Sequence, residues 1–207
     1  MGGEGKTMGL APYGNRGKKI LDFSINFCVS ASLKFASTSL IKVALGGSTL
    51  HTDWLSPTAA LDNGTQVGQQ FELLSDKIEK LTTKPDSIHP QCNTDACHWS
   101  AFIWFQGEND SLSQSGAQSY EENLRTFIHD VRAKVGRENL PVVIVEIGYW
   151  AKTLEFGEQV SAAQRKIADE DVNIVLVKTD DLSRYFHYDP AAQMIIGERI
   201  GVALKNM

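Results

Sequence analysis

Short apolar runs alternate along the chain with stretches whose apolar residues recur at helical spacing. The runs that predict buried strands are residues 40–45, 101–105, 140–147 and 172–177. The stretches that predict amphipathic helices are residues 67–81, 119–135, 160–168 and 190–204. Because strands that alternate with helices pair in parallel through right-handed crossovers, this pattern predicts an α/β fold, a three-layer α/β/α sandwich with a mainly parallel central sheet.

The remaining segments are rich in glycine, proline and polar residues, which predicts loops. Residues 1–17 predict an irregular N-terminal segment, and residues 51–64 predict a second one because Pro57 and the turn residues 62–64 interrupt any regular pattern. Residues 82–99 predict a polar loop. No repeat or linker divides the 207 residues, so residues 1–207 are predicted to form a single domain with its own core.

The composition is that of an ordinary globular protein, with 42% hydrophobic and 22% charged residues. A net charge of −5 and a pI near 5.5 argue against nucleic acid or an anionic membrane as a partner. No apolar run approaches the roughly 20 residues that cross a bilayer, and the N-terminus lacks the apolar core of a signal peptide. The sequence therefore carries no export address, and it leaves the compartment and the oligomeric state open.

The polar residues that follow the aromatic run at 101–105 are the first candidates for chemistry. Side chains just past the carboxyl end of a parallel strand face the crevice in which ligands bind. Gln106 offers amide donors, Gly107 permits a tight turn, and Glu108 offers a carboxylate. These residues alone fit an ordinary strand and polar turn equally well.

A second candidate is His187, which lies between the last predicted strand and the last predicted helix. Pro190 favours a helix start shortly after it. An imidazole at this edge of the sheet can serve as a general base. Taken alone, His187 is more simply interpreted as a surface histidine.

Three stretches taken together resemble the carbohydrate acetylesterases of the SGNH hydrolase superfamily, which include sialate O-acetylesterases and acetyl xylan esterases. They are Trp-x-Gln-Gly-Glu-x-Asp at 104–110, a closing segment at 187–200 that begins His-Tyr-Asp, and the glycine block Ala-Leu-Gly-Gly-Ser at 44–48. Tyr120, Asn123 and Gln164 match weaker segments between them. The resemblance covers residues 40–203. It implies a flavodoxin-like fold and, without metal or cofactor, deacetylation of sugars or polysaccharides through an acyl-enzyme.

The resemblance also implies catalytic roles for the matching residues. His187 would take the proton from a serine nucleophile and return it to the leaving sugar hydroxyl. The Gly47 N–H group and the Gln106 side chain would donate to the developing oxyanion. An acetylated carbohydrate is the implied substrate.

The sequence does not identify the residue that orients the imidazole. Many relatives have an aspartate three residues before the histidine, where this chain has Arg184. Some relatives are thought to use the glutamate of the Gln-Gly-Glu motif, so Glu108 is the first candidate. Asp181 or Asp180 is the second, and either carboxylate is open to a purely structural role.

The nucleophile is the main departure from the family pattern. The family carries its serine in Gly-Gln-Ser-Asn after the first strand, and neither that motif nor Gly-Asp-Ser occurs in the 207 residues. The opening Met1-Gly2-Gly3 would fit the residues after such a motif. We therefore hypothesise that this sequence begins inside the motif and lacks the first strand and its serine. Ser24 is a poor substitute because bulky Phe23 precedes it.

The sequence alone leaves two alternatives to the esterase open. The first is a catalytically inactive relative that binds carbohydrate or has a structural role. A metal-dependent hydrolase using His89, Asp95 and His98 is a weaker alternative. Cys92 and Cys97 have no regular zinc-site spacing, and they fit a loop disulfide or free thiols better.

Overall fold

The computed structural model describes residues 40–87, 98–182, 185 and 187–207. Three strands, β1 (Phe102–Trp104), β2 (Val142–Val145) and β3 (Ile174–Val177), form a parallel sheet in the order β1-β2-β3. All four side chains of the middle strand β2 are buried. Burial on both faces explains why its sequence is apolar throughout and does not alternate.

Six α-helices and two short 3₁₀ turns make up the rest of the described regular structure. The helices are α1 (Pro57–Asp62), α2 (Gln69–Thr83), α3 (Gln114–Val135), α4 (Tyr149–Lys152), α5 (Gly157–Glu170) and α6 (Pro190–Asn206). The 3₁₀ turns are Pro85–Ser87 and Asp110–Leu112. No helix in these described ranges has both the length and the apolar character needed to cross a membrane.

Helices cover both faces of the sheet. On one face, Leu124 and Phe127 of α3 are fully buried and pack in the same core cluster as Trp104 of β1. On the other face, Ile196 and Ile200 of α6 pack against β2 and β3. This arrangement confirms the predicted three-layer α/β/α sandwich. It also directs the carboxyl ends of all three described strands to one edge.

Local capping sets where the two longest helices begin and end. The Ser113 hydroxyl accepts a hydrogen bond from the Gly116 N–H at 3.1 Å, which starts α3, and Gly136 ends it in a left-handed conformation (φ 75°). In α6, the Asp189 carboxylate accepts from the Ala192 N–H at 2.8 Å, and Pro190 occupies the first turn.

Two sequence-based predictions are wrong. Residues 40–45 form no strand, because no described strand lies beside them to pair with their N–H and C=O groups. Residues 51–64 are not wholly irregular, since α1 begins at Pro57. Proline is favourable in a first helical turn, and the Thr58 N–H and hydroxyl bond to Asp130 of α3 at 2.8 and 2.7 Å.

Several predicted features lie outside the described residues. They are the irregular segment 1–17, Ser24, His89, Cys92, Asp95, Cys97 and Arg184.

Candidate functional site

The turn after β1 has a backbone conformation that requires glycine. Gly107 has φ 146°, and a Cβ atom there would lie 2.7 Å from Ile147 Cγ2, 3.0 Å from the Tyr120 hydroxyl and 3.1 Å from Val160 Cγ1. The chain therefore turns tightly against α3 and α5 at this point. Glu108, the next residue, is thereby placed at the carboxyl edge of the sheet.

A buried hydrogen-bond network holds this turn. The Tyr120 hydroxyl donates to the Gln106 carbonyl at 2.8 Å and accepts from Trp104 Nε1 at 3.2 Å. Gln164 Nε2 donates to the same carbonyl at 3.0 Å, and its Oε1 accepts from the Ile147 N–H at 2.9 Å. Tyr120 and Gln164, which the sequence marked only as weak motif residues, thus fix the backbone that carries Glu108.

Replacing Tyr120 by phenylalanine should lower the free energy of unfolding by about 1–3 kcal/mol, because it leaves the buried Trp104 N–H without this acceptor. Urea unfolding measures the change. The control is Thr83→Val, which removes an exposed hydroxyl. Equal midpoints for Tyr120→Phe and Thr83→Val would show that the network contributes nothing.

Asp110 joins the Glu108 turn to the segment of the glycine block, just past the last residue of that block. Its side chain is fully buried and accepts from the Leu50 N–H at 2.9 Å, the His51 N–H at 3.1 Å and Gln106 Nε2 at 2.6 Å. Burial raises the pKa of Asp110, and these three hydrogen bonds oppose that rise. Asp110 is the last residue of the 104–110 motif, but its role could not be predicted from the sequence.

The two predicted oxyanion donors lie on the segments that Asp110 joins. Gly47 is exposed in a left-handed conformation (φ 74°), and its carbonyl accepts from Asn109 Nδ2 at 2.5 Å. Both N–H groups of the Gln106 amide are directed at acceptors, Ser48 O at 3.0 Å and Asp110 Oδ2. An oxyanion role for Gln106 stays a prediction, and it would require one of these N–H groups to turn away from its acceptor.

Glu108 lines a narrow crevice at the carboxyl edge of the sheet. The lining residues are Glu108, Gly148, Trp150, Ala151, Tyr185 and Tyr188. The cavity volume is about 10 Å³, room for one water molecule. Burial raises the pKa of the Glu108 carboxyl, and nearby Asp110 raises it further. Among the described residues, no cation forms an ion pair with Glu108.

Part of the crevice lining, Tyr185 and Tyr188, comes from the loop that carries His187. His187 is exposed and directly precedes Tyr188. The Tyr188 hydroxyl bonds to Thr179 Oγ1 at 2.8 Å, and Thr179 in turn donates to the Glu146 carbonyl. Burial raises the pKa of Tyr188 to about 12, and the charge of Glu108 contributes to the rise. The loop before α6 and the turn after β1 therefore meet at one crevice.

Asp180 and Asp181, the second candidates to orient His187, are both engaged in ion pairs. Asp181 accepts two bonds from the Arg199 guanidinium, at 2.8 and 2.6 Å, which lower its pKa to about 2. Asp180 pairs with Lys152 Nζ at 2.6 Å. Lys152 also contacts the buried Glu146 carboxylate at 2.9 Å.

The raised pKa of Glu108 predicts a pH dependence of stability. A carboxyl whose folded-state pKa lies above its unfolded value contributes stability that is fully present below about pH 4.5 and is lost as pH rises through the folded-state pKa. Glu108→Gln should remove this loss, so the variant should gain melting temperature relative to wild type as pH increases. Thermal melts from pH 3 to pH 8 test this, with the exposed Glu138→Gln as control. A difference that stays constant with pH would contradict the prediction.

Comparison with known proteins gives the family of the chain. The family model for carbohydrate esterase, sialic acid-specific acetylesterase (SASA), matches residues 16–206. The chain belongs to this family, which confirms the resemblance seen in the sequence. No curated protein matches the chain.

Two solved structures share the fold. A protein from Arabidopsis thaliana, known from an X-ray structure, is 21% identical, with a TM-score of 0.56 over 77% of this chain and 57% of its own. A carbohydrate acetylesterase from Xanthomonas citri is 19% identical, with a TM-score of 0.62 over 88% of this chain and 39% of its own. The chain therefore spans 57% of the length of the first of these proteins and 39% of the length of the second.

Proposed function

We propose that the chain is a carbohydrate O-acetylesterase domain that removes acetyl groups from sugars or polysaccharides through an acyl-enzyme. The observation that carries the proposal is the crevice where Glu108 meets the loop of His187, in a member of a carbohydrate esterase family. Residues 1–207 would form one such domain.

In this reaction, the serine that the family carries in Gly-Gln-Ser-Asn, a motif that the 207 residues lack, would attack the acetyl carbonyl while His187 takes its proton. His187 then returns the proton to the leaving sugar oxygen, and water releases acetate from the acyl-serine in a second, equivalent step. The Gly47 N–H group would stabilise the oxyanion that forms in each step. Gln106 would add a second donor if its amide turns.

Glu108 is the better candidate to orient the His187 imidazole. It lines the crevice and has no cation partner among the described residues, whereas Asp181 is held by Arg199 and Asp180 by Lys152. A carboxylate already neutralised by a close cation stabilises an imidazolium less. We therefore assign Asp180 and Asp181 a structural role, in their ion pairs with Lys152 of α4 and Arg199 of α6.

The second candidate is a catalytically inactive relative that binds carbohydrate. Two observations favour it: the sequence lacks the nucleophile motif, and the Ser48 hydroxyl is already bonded inside the protein. The sequence has no Gly-x-Ser-Asn motif. Ser48, which the glycine block places near the site, is buried, donates to the Leu45 carbonyl at 2.7 Å and accepts from Trp54 Nε1 at 2.8 Å. These bonds commit its hydroxyl to the protein interior.

Acetate release from O-acetylated methyl xyloside, measured with and without EDTA, tests the proposal. The esterase predicts turnover that EDTA leaves unchanged, because serine chemistry needs no metal. Turnover lost on chelation would favour a metal-dependent hydrolase. No turnover, together with measurable binding of the sugar, would favour the inactive relative.

A further inference from the structure

We infer that the outer edge of β3 and the adjoining face of α6 form the surface through which two copies of this chain make a symmetric dimer. In this dimer, β3 of each copy pairs antiparallel with β3 of the other, so that the two sheets join into one. The inference concerns assembly and does not depend on the proposed esterase activity.

Strand β3 lies at one edge of the described sheet, because it pairs with β2 on one side only. Its four residues, Ile-Val-Leu-Val at 174–177, are all apolar, and its register with β2 is regular. Proteins usually protect an edge strand with a proline, a charge or a bulge, and β3 has none of these. Its edge is therefore suited to pairing with another strand.

Backbone hydrogen bonds show which groups of β3 face outward. The carbonyls of Asn173 and Val177 each accept from an N–H group on the β2 side at 2.9 Å. Because successive residues direct their backbone groups to opposite sides of a strand, those of Ile174, Leu176 and Lys178 point away from β2. These three residues carry the groups that a further strand would use.

Two of these outward groups are already bonded within the chain. The Ile174 N–H donates to the Asp171 carbonyl at 2.9 Å, and the Lys178 carbonyl accepts from Arg199 Nη1 at 2.7 Å. The N–H groups of Leu176 and Lys178 and the carbonyls of Ile174 and Leu176 remain.

The remaining two donors and two acceptors are self-complementary. An antiparallel pairing that places Leu176 opposite its own copy also places Ile174 opposite Lys178. Every remaining N–H group then meets a remaining carbonyl of the other copy. A two-fold contact between identical surfaces requires such a pattern, which favours a second copy as the occupant.

Helix α6 adds an apolar face beside this edge. An open groove of about 550 Å³ lies between β3 and α6, and it is lined by Val175, Ile195 and Val202 among others. Ile195 and Val202 are two helical turns apart and are 38% and 56% exposed. Covering these side chains with a second apolar face is favourable. The exposed Lys178 and Glu198 give the groove both signs of charge, so two copies do not meet as surfaces of one sign.

The pairing of the two strands brings the two α6 helices together. Helix α6 packs over both β2 and β3. A two-fold axis at the β3 edge places the second α6 on the same face of the sheet, about two strand spacings or roughly 10 Å away. Packed helices lie about this far apart, so each α6 would fill the groove of the other copy.

The two longest undescribed segments, residues 1–39 and 88–97, join the described chain on the far side of the sheet. Shortly after the first of them, the carbonyls of Gly47 and Ser48 bond to the turn after β1. Shortly after the second, Trp99 precedes β1. Since β1 and β3 are at opposite edges, this placement favours a second copy over these segments as the occupant of the β3 edge.

Sedimentation velocity of the whole chain from about 1 to 100 µM tests the inference. The wild type should pass from the 22.8 kDa monomer to a dimer and no further, because the pairing uses up the edge. Val202→Glu should raise the dimer Kd at least about tenfold, since it places a charge in the apolar contact. The control is Leu61→Glu, on α1 and 81% exposed, which should keep Kd within about twofold of wild type.

A second pair of variants tests the strand pairing itself. Lys178→Pro removes an outward N–H group, whereas Lys178→Ala removes only the side chain beyond Cβ. An edge strand tolerates proline where its N–H faces away from the sheet, so both variants should fold, which circular dichroism checks. The proline variant should have a Kd at least about tenfold above that of the alanine variant, because each copy loses a hydrogen bond to the other.

A wild-type chain that stays monomeric up to about 100 µM would overturn the inference, as would assembly that continues beyond the dimer. A Kd that folded Val202→Glu and Leu61→Glu change equally would exclude the α6 face from the contact. Equal Kd values for folded Lys178→Pro and Lys178→Ala would exclude the pairing of the β3 edges.

Discussion

Replacing His187 by alanine is expected to lower kcat/KM for acetate release by about 10²- to 10⁴-fold, the usual contribution of a positioned general base. The imidazole would move a proton in both the formation and the breakdown of the acyl-enzyme, so its loss slows both steps. The residue lies on the loop whose Tyr188 lines the Glu108 crevice. Steady-state kinetics on O-acetylated methyl xyloside measure the change.

The control for this substitution is His129→Ala. The His129 side chain is 74% exposed on α3, where its Nδ1 contacts Asp130 at 3.0 Å. It should keep kcat/KM within about twofold of wild type, as expected for a surface change far from the site. Activity in His187→Ala equal to that in His129→Ala would remove His187 from the mechanism.

Replacing Gly107 by alanine is expected to lower the free energy of unfolding by about 3 kcal/mol or more. Two costs combine: a backbone conformation (φ 146°) that non-glycine residues rarely adopt, and a Cβ forced to 2.7 Å from Ile147 Cγ2. The Tyr120 hydroxyl and Val160 also lie close by, so the Cβ cannot move away from Ile147 without meeting another atom. Urea unfolding measures the loss, and binding at the Glu108 crevice should weaken with it.

Gly64→Ala separates the two costs. Gly64 also has a positive φ, 62°, but nothing lies within 4 Å of a Cβ placed there. Only backbone strain should therefore apply, about 1–2 kcal/mol. If both variants lost the same stability, the close packing around Gly107 would not be the reason for its glycine.

The sequence predicted the parts of the fold that depend on local pattern. The run at 140–147 became the fully buried β2, and the stripe at 119–135 became α3, which begins five residues earlier at Gln114. The strand prediction at 40–45 failed because a strand depends on a neighbour that no local pattern reveals. Helix α1 was missed because Pro57 was interpreted as a breaker and not as a first-turn residue.

The sequence indicates which loops carry the candidate site residues, but not the contacts that hold those loops in place. The positions of Glu108 and His187 follow from the rule that loops at the carboxyl ends of parallel strands meet at one edge. The anchoring contacts of Asp110 with Leu50 and His51 join residues about 60 positions apart, so no spacing along the chain indicates them. The pairing of Asp181 with Arg199 is equally a product of the tertiary fold.

A double-mutant cycle on kcat/KM for acetate release, using Glu108→Gln and His187→Ala, tests most directly whether these residues form one site. If Glu108 acts by orienting His187, the two losses are not additive, because an orienting residue has no effect once the imidazole is gone. The account predicts that the double variant matches His187→Ala within about threefold. A Glu108→Gln substitution that lowers kcat/KM by the same factor in the wild-type and His187→Ala backgrounds would contradict it.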